Sequence, residues 1–120
     1  MGHRGTLRRT ISKWANAQDQ DARDLRRTHA EEGTSPIGSA PDRERVRLRG
    51  TLRTVTLRPR GGVPALEAEL TDGTGTVVIV WLGRRHIAGI APGRSVAVQG
   101  RIGVHDGERI LYNPRYELIP

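Results

Sequence analysis

Six arginines stand close together near the middle of the chain. Arg45, Arg47, Arg49 and Arg53 alternate with apolar residues, and Arg58 and Arg60 follow in the stretch Arg58-Pro-Arg-Gly-Gly62. Along an extended strand alternate side chains share a face. A row of guanidiniums on one face suits phosphate oxygens, because each presents a planar fork of donors. Such a track can follow a phosphate backbone. The competing explanation is a solvated face that blunts a strand edge. Arg84 and Arg85, next to His86, and the isolated Arg101 and Arg115 add further cations. Trp81 is the candidate stacking surface for a planar ring, with a place in the core as its alternative. Tyr112 and Tyr116 are expected in the core.

Other chemistries fare poorly. There is no Cys, which removes disulfides and thiolate metal sites. His105-Asp106-Gly107-Glu108 gathers a His and two acids, but Asp-Gly marks a hairpin tip, where solvent leaves little desolvation to tune a pKa. His3, His29 and His86 lack metal-ligand spacing. No Gly-x-x-x-x-Gly-Lys loop is present. The expectation is a protein that is not an enzyme and holds no cofactor.

Composition points the same way. The formal charge is +7, from 20 Lys and Arg against 13 Asp and Glu, and all but one of the cations are Arg. A basic balance favours anionic partners. Apolar residues make up 35 % of the 120 positions, so the core is small or part of the chain lies outside it. No apolar run reaches the ~20 residues of a membrane span, and the basic start lacks an apolar secretory core. A cytoplasmic location and no stable membrane insertion are expected.

The elements that must carry these residues change character twice. Residues 6–32 contain no Gly or Pro and place Leu7, Ile11, Trp14, Ala22 and Leu25 at helical spacing, with Thr6 as N-cap and Gly33 as stop. The charged N-terminal helix therefore spans residues 1–32. Its thin stripe either packs a short face on the rest of the chain or projects into solvent. Arg4, Arg8, Arg9 and Lys13 beside Leu7, Ile11 and Trp14 form a short basic amphipathic stretch that can lie on an anionic membrane or dock on a protein partner; Asp19, Asp21 and Asp24 cut it short, which favours the partner. Residues 33–42, with two Pro, two Gly and two Ser, read as a flexible linker.

From Arg43 the period becomes two. Val46, Leu48, Gly50 and Leu52 are followed by Val55 and Leu57 on the opposite parity, which predicts a β-bulge at Arg53-Thr54. Leu66, Ala68 and Leu70 alternate with Glu67 and Glu69 in a second strand. The two acids are expected to pair with Arg47 or Arg49. Asp72-Gly-Thr-Gly75 is a turn, and Thr76–Leu82 is a third strand covered on both faces. Residues 84–91 suit one or two helical turns, ended by Pro92-Gly93. Val96, Val98, Gly100, Ile102 and Val104 define strand four. Ile110, Tyr112, Tyr116 and Leu118 share one parity of strand five, where Pro114 implies an edge, a bulge or a change of partner. The fold class is all-β: a five-stranded OB-fold barrel over residues 43–120 with a short helix between strands 3 and 4, preceded by the N-terminal helix and linker. An SH3-like barrel is the alternative.

Three stretches carry a family resemblance. Leu70-Thr-Asp-Gly-Thr-Gly-Thr-Val-Val-Ile-Val-Trp81 resembles the second hairpin of bacterial OB domains. Ile90-Ala-Pro-Gly-Arg-Ser-Val-Ala-Val-Gln-Gly-Arg-Ile102 resembles their fourth strand. Ile110-Leu-Tyr-Asn-Pro-Arg-Tyr-Glu-Leu118 resembles the ending of RecG-type helicase wedge domains. The chain is similar to small bacterial OB-fold nucleic-acid-binding-domain proteins, of the RecG-wedge and tRNA-anticodon type, over about residues 43–120. The resemblance implies nucleic-acid binding. Together with the arginines it sets the expectation of a module that binds single-stranded or structured DNA, rather than RNA, through phosphates and with little sequence specificity. The residues expected to carry it are Arg47, Arg49, Arg53, Arg58, Arg60, Trp81, Arg84, Arg85 and Arg101. The alternative is a scaffold that recruits a protein through the N-terminal helix or an outer strand.

Overall fold

The computed structural model describes the backbone of residues 2–120 and the side chains of residues 16–120. The stretch from Arg4 to Trp14, with its basic and apolar side chains, lies outside the described side chains. Helix α1 spans Gly2–His29. It begins before Thr6, passing through Gly5, and ends before Gly33. One interior Gly costs only ~1 kcal/mol, which a helix this long absorbs. Residues 16–21 are exposed on every side, whereas Ala22, Leu25, Arg26 and His29 turn towards the sheet. That is one helical stripe, and it is the only described face of α1 that packs.

Seven strands follow: β1 Arg45–Leu57, β2 Ala65–Thr71, β3 Thr76–Leu82, β4 Ser95–Arg101, β5 Gly103–His105, β6 Glu108–Tyr112 and β7 Arg115–Ile119. They form one sheet in the order β5-β6-β3-β2-β1-β4-β7. The expected five-stranded barrel is corrected: the sheet is not closed, since its end strands β5 and β7 do not pair, and it counts seven strands because the last two are each divided. Ile102 separates β4 from β5 and hydrogen-bonds instead to the approach to β1, through Arg43 N–H and Glu44 O. Asn113-Pro114 separates β6 from β7, and the partners change there: β6 pairs in parallel with β3, and β7 pairs antiparallel with β4.

Strand β1 bends as its sequence requires. Its first half pairs with β4 and its second half with β2. Between Leu52 and Val55 the register with β2 shifts, so the bulge falls on Arg53-Thr54. Gly50 sits where any Cβ would meet the Thr71 carbonyl at 2.6 Å, so only glycine lets β1 cross β2 that closely. Val46, Leu48, Leu52, Leu66, Ala68, Leu70, Val77, Ile79, Trp81, Val96, Val98, Ile102 and Leu111 build the interior.

The helix expected over residues 84–91 is absent. The segment from Gly83 to Arg94 is a loop of turns, with Ile90 N–H bonded to Ile87 O and Arg94 N–H to Ala91 O. Gly83, Gly89 and Gly93 all take positive φ, which ends helix propagation after each turn. Ile87 and Ile90 nevertheless plug the core, doing the packing a helix would have done. Residues 33–42, read above as a flexible linker, are packed in part. Ile37 is fully buried at the head of a short 3-10 turn, Ile37–Ser39. Ser35 N–H bonds to Arg47 O. The Arg109 guanidinium holds Ile37 O and Ala40 O, both at 2.7 Å, and its Nε lies 3.0 Å from Asp42 Oδ1.

Candidate nucleic-acid interface

The outer face of β2, β3 and β6 has an apolar floor. Ala65, Val78, Val80 and Ile110 form a second buried cluster there, outside the main core. The β1–β2 loop folds back beside this floor. Arg60 and Val63 exchange both backbone hydrogen bonds, at 2.9 and 3.0 Å, across Gly61 and Gly62, which take φ of 57° and 79°. Two positive φ values in succession define a tight hairpin turn that glycine permits. The turn aims Arg60 inward over the floor. Its Nη2 lies 3.0 Å from Glu67 Oε2, its Nη1 donates to the Tyr112 hydroxyl at 3.2 Å, and its carbon Cζ stands 5.9 Å from the Tyr112 ring centroid. Arg58 reaches the other Glu67 oxygen at 3.6 Å. The hydrogen bond to Glu67 raises the Arg60 pKa further above its ordinary value, against a smaller opposing effect of burial. The cation is fixed in charge and position.

Tyr112 is thus an exposed aromatic on this face, 46 % accessible. Its expected place in the core is corrected, and so is the role of Trp81. Trp81 is 5 % exposed and packs edge-on against Tyr116 with centroids 5.6 Å apart, so it offers no stacking face. The cause lies at Asn113. This residue takes φ +48°, its N–H bonds to Val80 O, and its side-chain oxygen accepts from Leu82 N–H at 2.9 Å. Asparagine tolerates the left-handed region better than most residues. The break flips the side-chain phase. Ile110 and Tyr112 therefore lie on the outer side while Tyr116 and Leu118, of the same parity, lie on the side of Trp81. Leu118 packs against the core, but Tyr116 stays exposed, so its expected place in the core is corrected too.

The six-arginine track does not survive as one surface. Arg47 pairs with Glu117 at 3.5 Å, and Arg49 with Glu31 at 3.3 Å. The expected pairing of those two with Glu67 or Glu69 is corrected, since Glu67 takes Arg58 and Arg60 instead. The bend in β1 is the physical reason: residues 45–51 lie beside β4 and residues 55–57 beside β2. Arg53 sits at the bulge in a shallow groove shared with Asp21, Ala22 and Leu25 of α1. Arg84 and Arg85 are exposed just past Gly83, whose N–H bonds to Pro64 O, so they adjoin the rim that holds Arg58 and Arg60. Arg101 lies elsewhere, directly across from Arg45.

Two features were silent in the sequence. Asp72, which reads as a turn residue, is fully buried. It accepts from Thr74 N–H at 2.9 Å, the Thr74 hydroxyl at 2.6 Å, Ile37 N–H at 3.0 Å and Arg26 Nη1 at 3.2 Å. Burial pushes its pKa up, but the hydrogen bonds from Thr74 and Ile37 and the Arg26 charge together hold it below the ordinary 3.8. His29 is also fully buried and shares a 2.8 Å hydrogen bond between Nε2 and Thr51 Oγ1. Burial, then the Arg49 and Arg26 charges, lower its pKa below 6.5 against the opposing pull of Asp72. Asp72 fastens α1 and the 33–42 segment to the β2–β3 turn, and His29 fastens the end of α1 to β1. At the other hairpin, His105 Nε2 and Asp106 Oδ2 are 3.4 Å apart and both exposed. Among the described residues no group of three or more His, Asp or Glu could hold a metal ion, and no helix is long and apolar enough to cross a membrane.

A bent first strand, a meander into β3, a parallel β3–β6 pair and an outer face flanked by the β1–β2 loop define an OB-type nucleic-acid-binding fold. The chain belongs to the tRNA anti-codon family, described as "OB-fold nucleic acid binding domain", whose profile matches residues 46–119. No curated protein matches. Among solved structures, RecG bound to a three-way DNA junction superposes with a TM-score of 0.60 at 21% identity, covering 72% of this chain and 12% of that one. A replication protein A heterotrimer bound to single-stranded DNA superposes with a TM-score of 0.52 at 13% identity, covering 76% and 69%. The chain thus spans about an eighth of the RecG chain, and at these identities the likeness is one of fold.

Proposed function

We propose that residues 43–120 form a non-catalytic module that binds single-stranded or structured DNA, mainly through backbone phosphates and with little sequence preference. The division into this unit, a helical appendage over residues 1–32 and a connecting segment over 33–42 is part of the proposal, as is a cytoplasmic site of action. The observation that carries it is the Arg60–Tyr112 pair, at 5.9 Å on the open outer face of a nucleic-acid-binding fold. Tyr112 supplies the ring on which a base can stack. Arg60 and Arg58 stand beside it for phosphate, and Arg84 and Arg85 extend the same rim. None of these contacts reads base edges, so the binding is sequence-tolerant.

A specific observation favours a second role in recruiting protein. Residues 16–21 of α1 are exposed all round, which leaves that part of the helix open to a partner while its last turns hold the sheet.

The test is a titration of labelled single-stranded and branched DNA against the whole chain over a series of salt concentrations. Binding should weaken linearly on a log–log plot, with a slope of about −0.7 for each phosphate contacted on a single strand. No binding at low salt, or affinity indifferent to salt, would overturn the reading.

A further inference from the structure

The break that turns Tyr112 outward also opens a groove along the start of β1, the end of β4 and the start of β7. Its volume is about 530 Å³, and Tyr112, Asn113 and Pro114 line one part of it. Three arginines line the rest, one from each strand: Arg45, Arg101 and Arg115. All three are exposed, and none forms an ion pair among the described residues. Arg47, Arg49, Arg58, Arg60 and Arg109 each have a carboxylate within 4.0 Å. Other arginines such as Arg53, Arg84 and Arg85 have none among the described residues, but in this groove three such cations line one cavity. Moreover, Arg45 and Arg101 are register partners. Like charges directly opposite on neighbouring strands repel, and here no acid offsets them. A surface that needed only solvation has no use for this arrangement. An anion with repeated charges does.

We infer that this groove is a second anchoring site for the sugar–phosphate backbone of nucleic acid, continuous with the outer face through Tyr112. A strand stacked on Tyr112 would turn past Pro114 and lay its phosphates on Arg115, Arg101 and Arg45. The path ends where Glu117 already neutralises Arg47, in the adjoining shallow groove that shares Gln99 and Arg115 with this one. The inference rests on the nucleic-acid reading above and adds to it a face that OB folds do not ordinarily present to ligand.

Nuclear magnetic resonance on the isotopically labelled whole chain, titrated with a long oligothymidylate, tests it. The amides of Gly61, Gly62 and Val63 report the outer face; those of Arg101, Gly103, Asn113 and Arg115 report the groove. Both sets should shift. In the double variant Arg101→Ala/Arg115→Ala, whose own spectrum shows whether it is folded, the log–log salt slope should lose about 0.7 for each phosphate contact removed. Shifts confined to the outer face, or an unchanged slope in the folded variant, overturn the groove and leave the proposed function standing. No shifts anywhere at low salt overturn both. Equal groove shifts with a poly-glutamate peptide would assign the site to acidic protein and overturn its assignment to nucleic acid.

Discussion

Two regions of this molecule treat charge in opposite ways. Beneath the β2–β3 turn the buried charge is used internally: Asp72 accepts four hydrogen bonds in full burial, one of them from Arg26. In the groove beside β7, Arg45, Arg101 and Arg115 face solvent, and none has a carboxylate within 4.0 Å among the described residues. The outer face lies between these extremes, since Arg58 and Arg60 share one carboxylate with Tyr112 alongside. Polar groups satisfied by the fold contribute to architecture. Those left unsatisfied at the surface are available to a ligand, at a cost in self-repulsion.

The contrast can be broken most forcefully at Asp72. Asp72→Ala leaves the Thr74 and Ile37 amides without their acceptor and should cost ~1–3 kcal/mol of stability for each buried donor left unsatisfied, a large share of the total for a domain this size. Arg26→Ala should cost less, ~1 kcal/mol or under, because Arg26 is 31% exposed. Denaturant unfolding measures both. DNA affinity measured where the Asp72 variant is still folded should be that of the parent chain. A specific loss of affinity there would place the turn in the interface and erase the contrast.

Tyr112→Ala comes next. Stacking contributes roughly 1–3 kcal/mol per base, so affinity for single-stranded DNA should fall roughly tenfold. Tyr112→Phe should keep most of the affinity, because the ring remains and only the Arg60 hydrogen bond is lost. Trp81→Phe, a substitution in the core, should alter stability and leave the DNA affinity of the folded chain alone. Anisotropy titrations of the three variants compare them directly.

That last pair shows how much was legible beforehand. Parity located the β1 bulge, the inward residues of β2 and the double-sided burial of β3, because each follows from local alternation along one strand. Parity failed across Asn113, where a positive φ reverses the phase and turns Tyr112 outward. For Trp81 it could not decide, because β3 is apolar on both faces, and the residue lies on the inward parity with Val77 and Ile79. Parity also failed for the arginines. Alternation says that Arg47 and Arg53 share a face, but not that β1 leaves β4 for β2 between them. The Asp72 latch was illegible for a different reason. Its partners are Arg26 and Ile37, far away in sequence, and a turn aspartate looks the same whether it serves only its turn or a distant segment.

The latch predicts a pH dependence. A neutral His29 is favoured in the folded chain, whose pKa lies below the 6.5 of the unfolded chain. Its share of stability is therefore complete above pH 6.5 and is lost as pH falls below that towards the folded value. Asp72 has the same sign, but its window lies below 3.8. Melting temperature should thus drop between pH 7.5 and 5.5 through His29 alone of the two, and His29→Gln should flatten the drop. His29 is fully buried and is none of the proposed nucleic-acid contacts, so DNA affinity of the folded chain should not follow the same curve.

The smallest effect is the sharpest test of the comparison. Glu67→Gln keeps a hydrogen-bond acceptor for Arg60 but removes the charge that Arg58 and Arg60 share. The outer face then resembles the groove more closely, with two cations that have lost their directly paired acid. If neutralisation by Glu67 limits phosphate binding, affinity should rise by the equivalent of ~0.2–1 kcal/mol, the range for a single exposed ion pair. The salt slope should steepen towards one more phosphate contact. If the carboxylate matters more for holding Arg60 against Tyr112, affinity should fall with the slope unchanged, because a misplaced guanidinium stacks poorly however much charge it carries. The sign of this one change tells whether the outer face binds by its charge, as the groove does, or by its geometry.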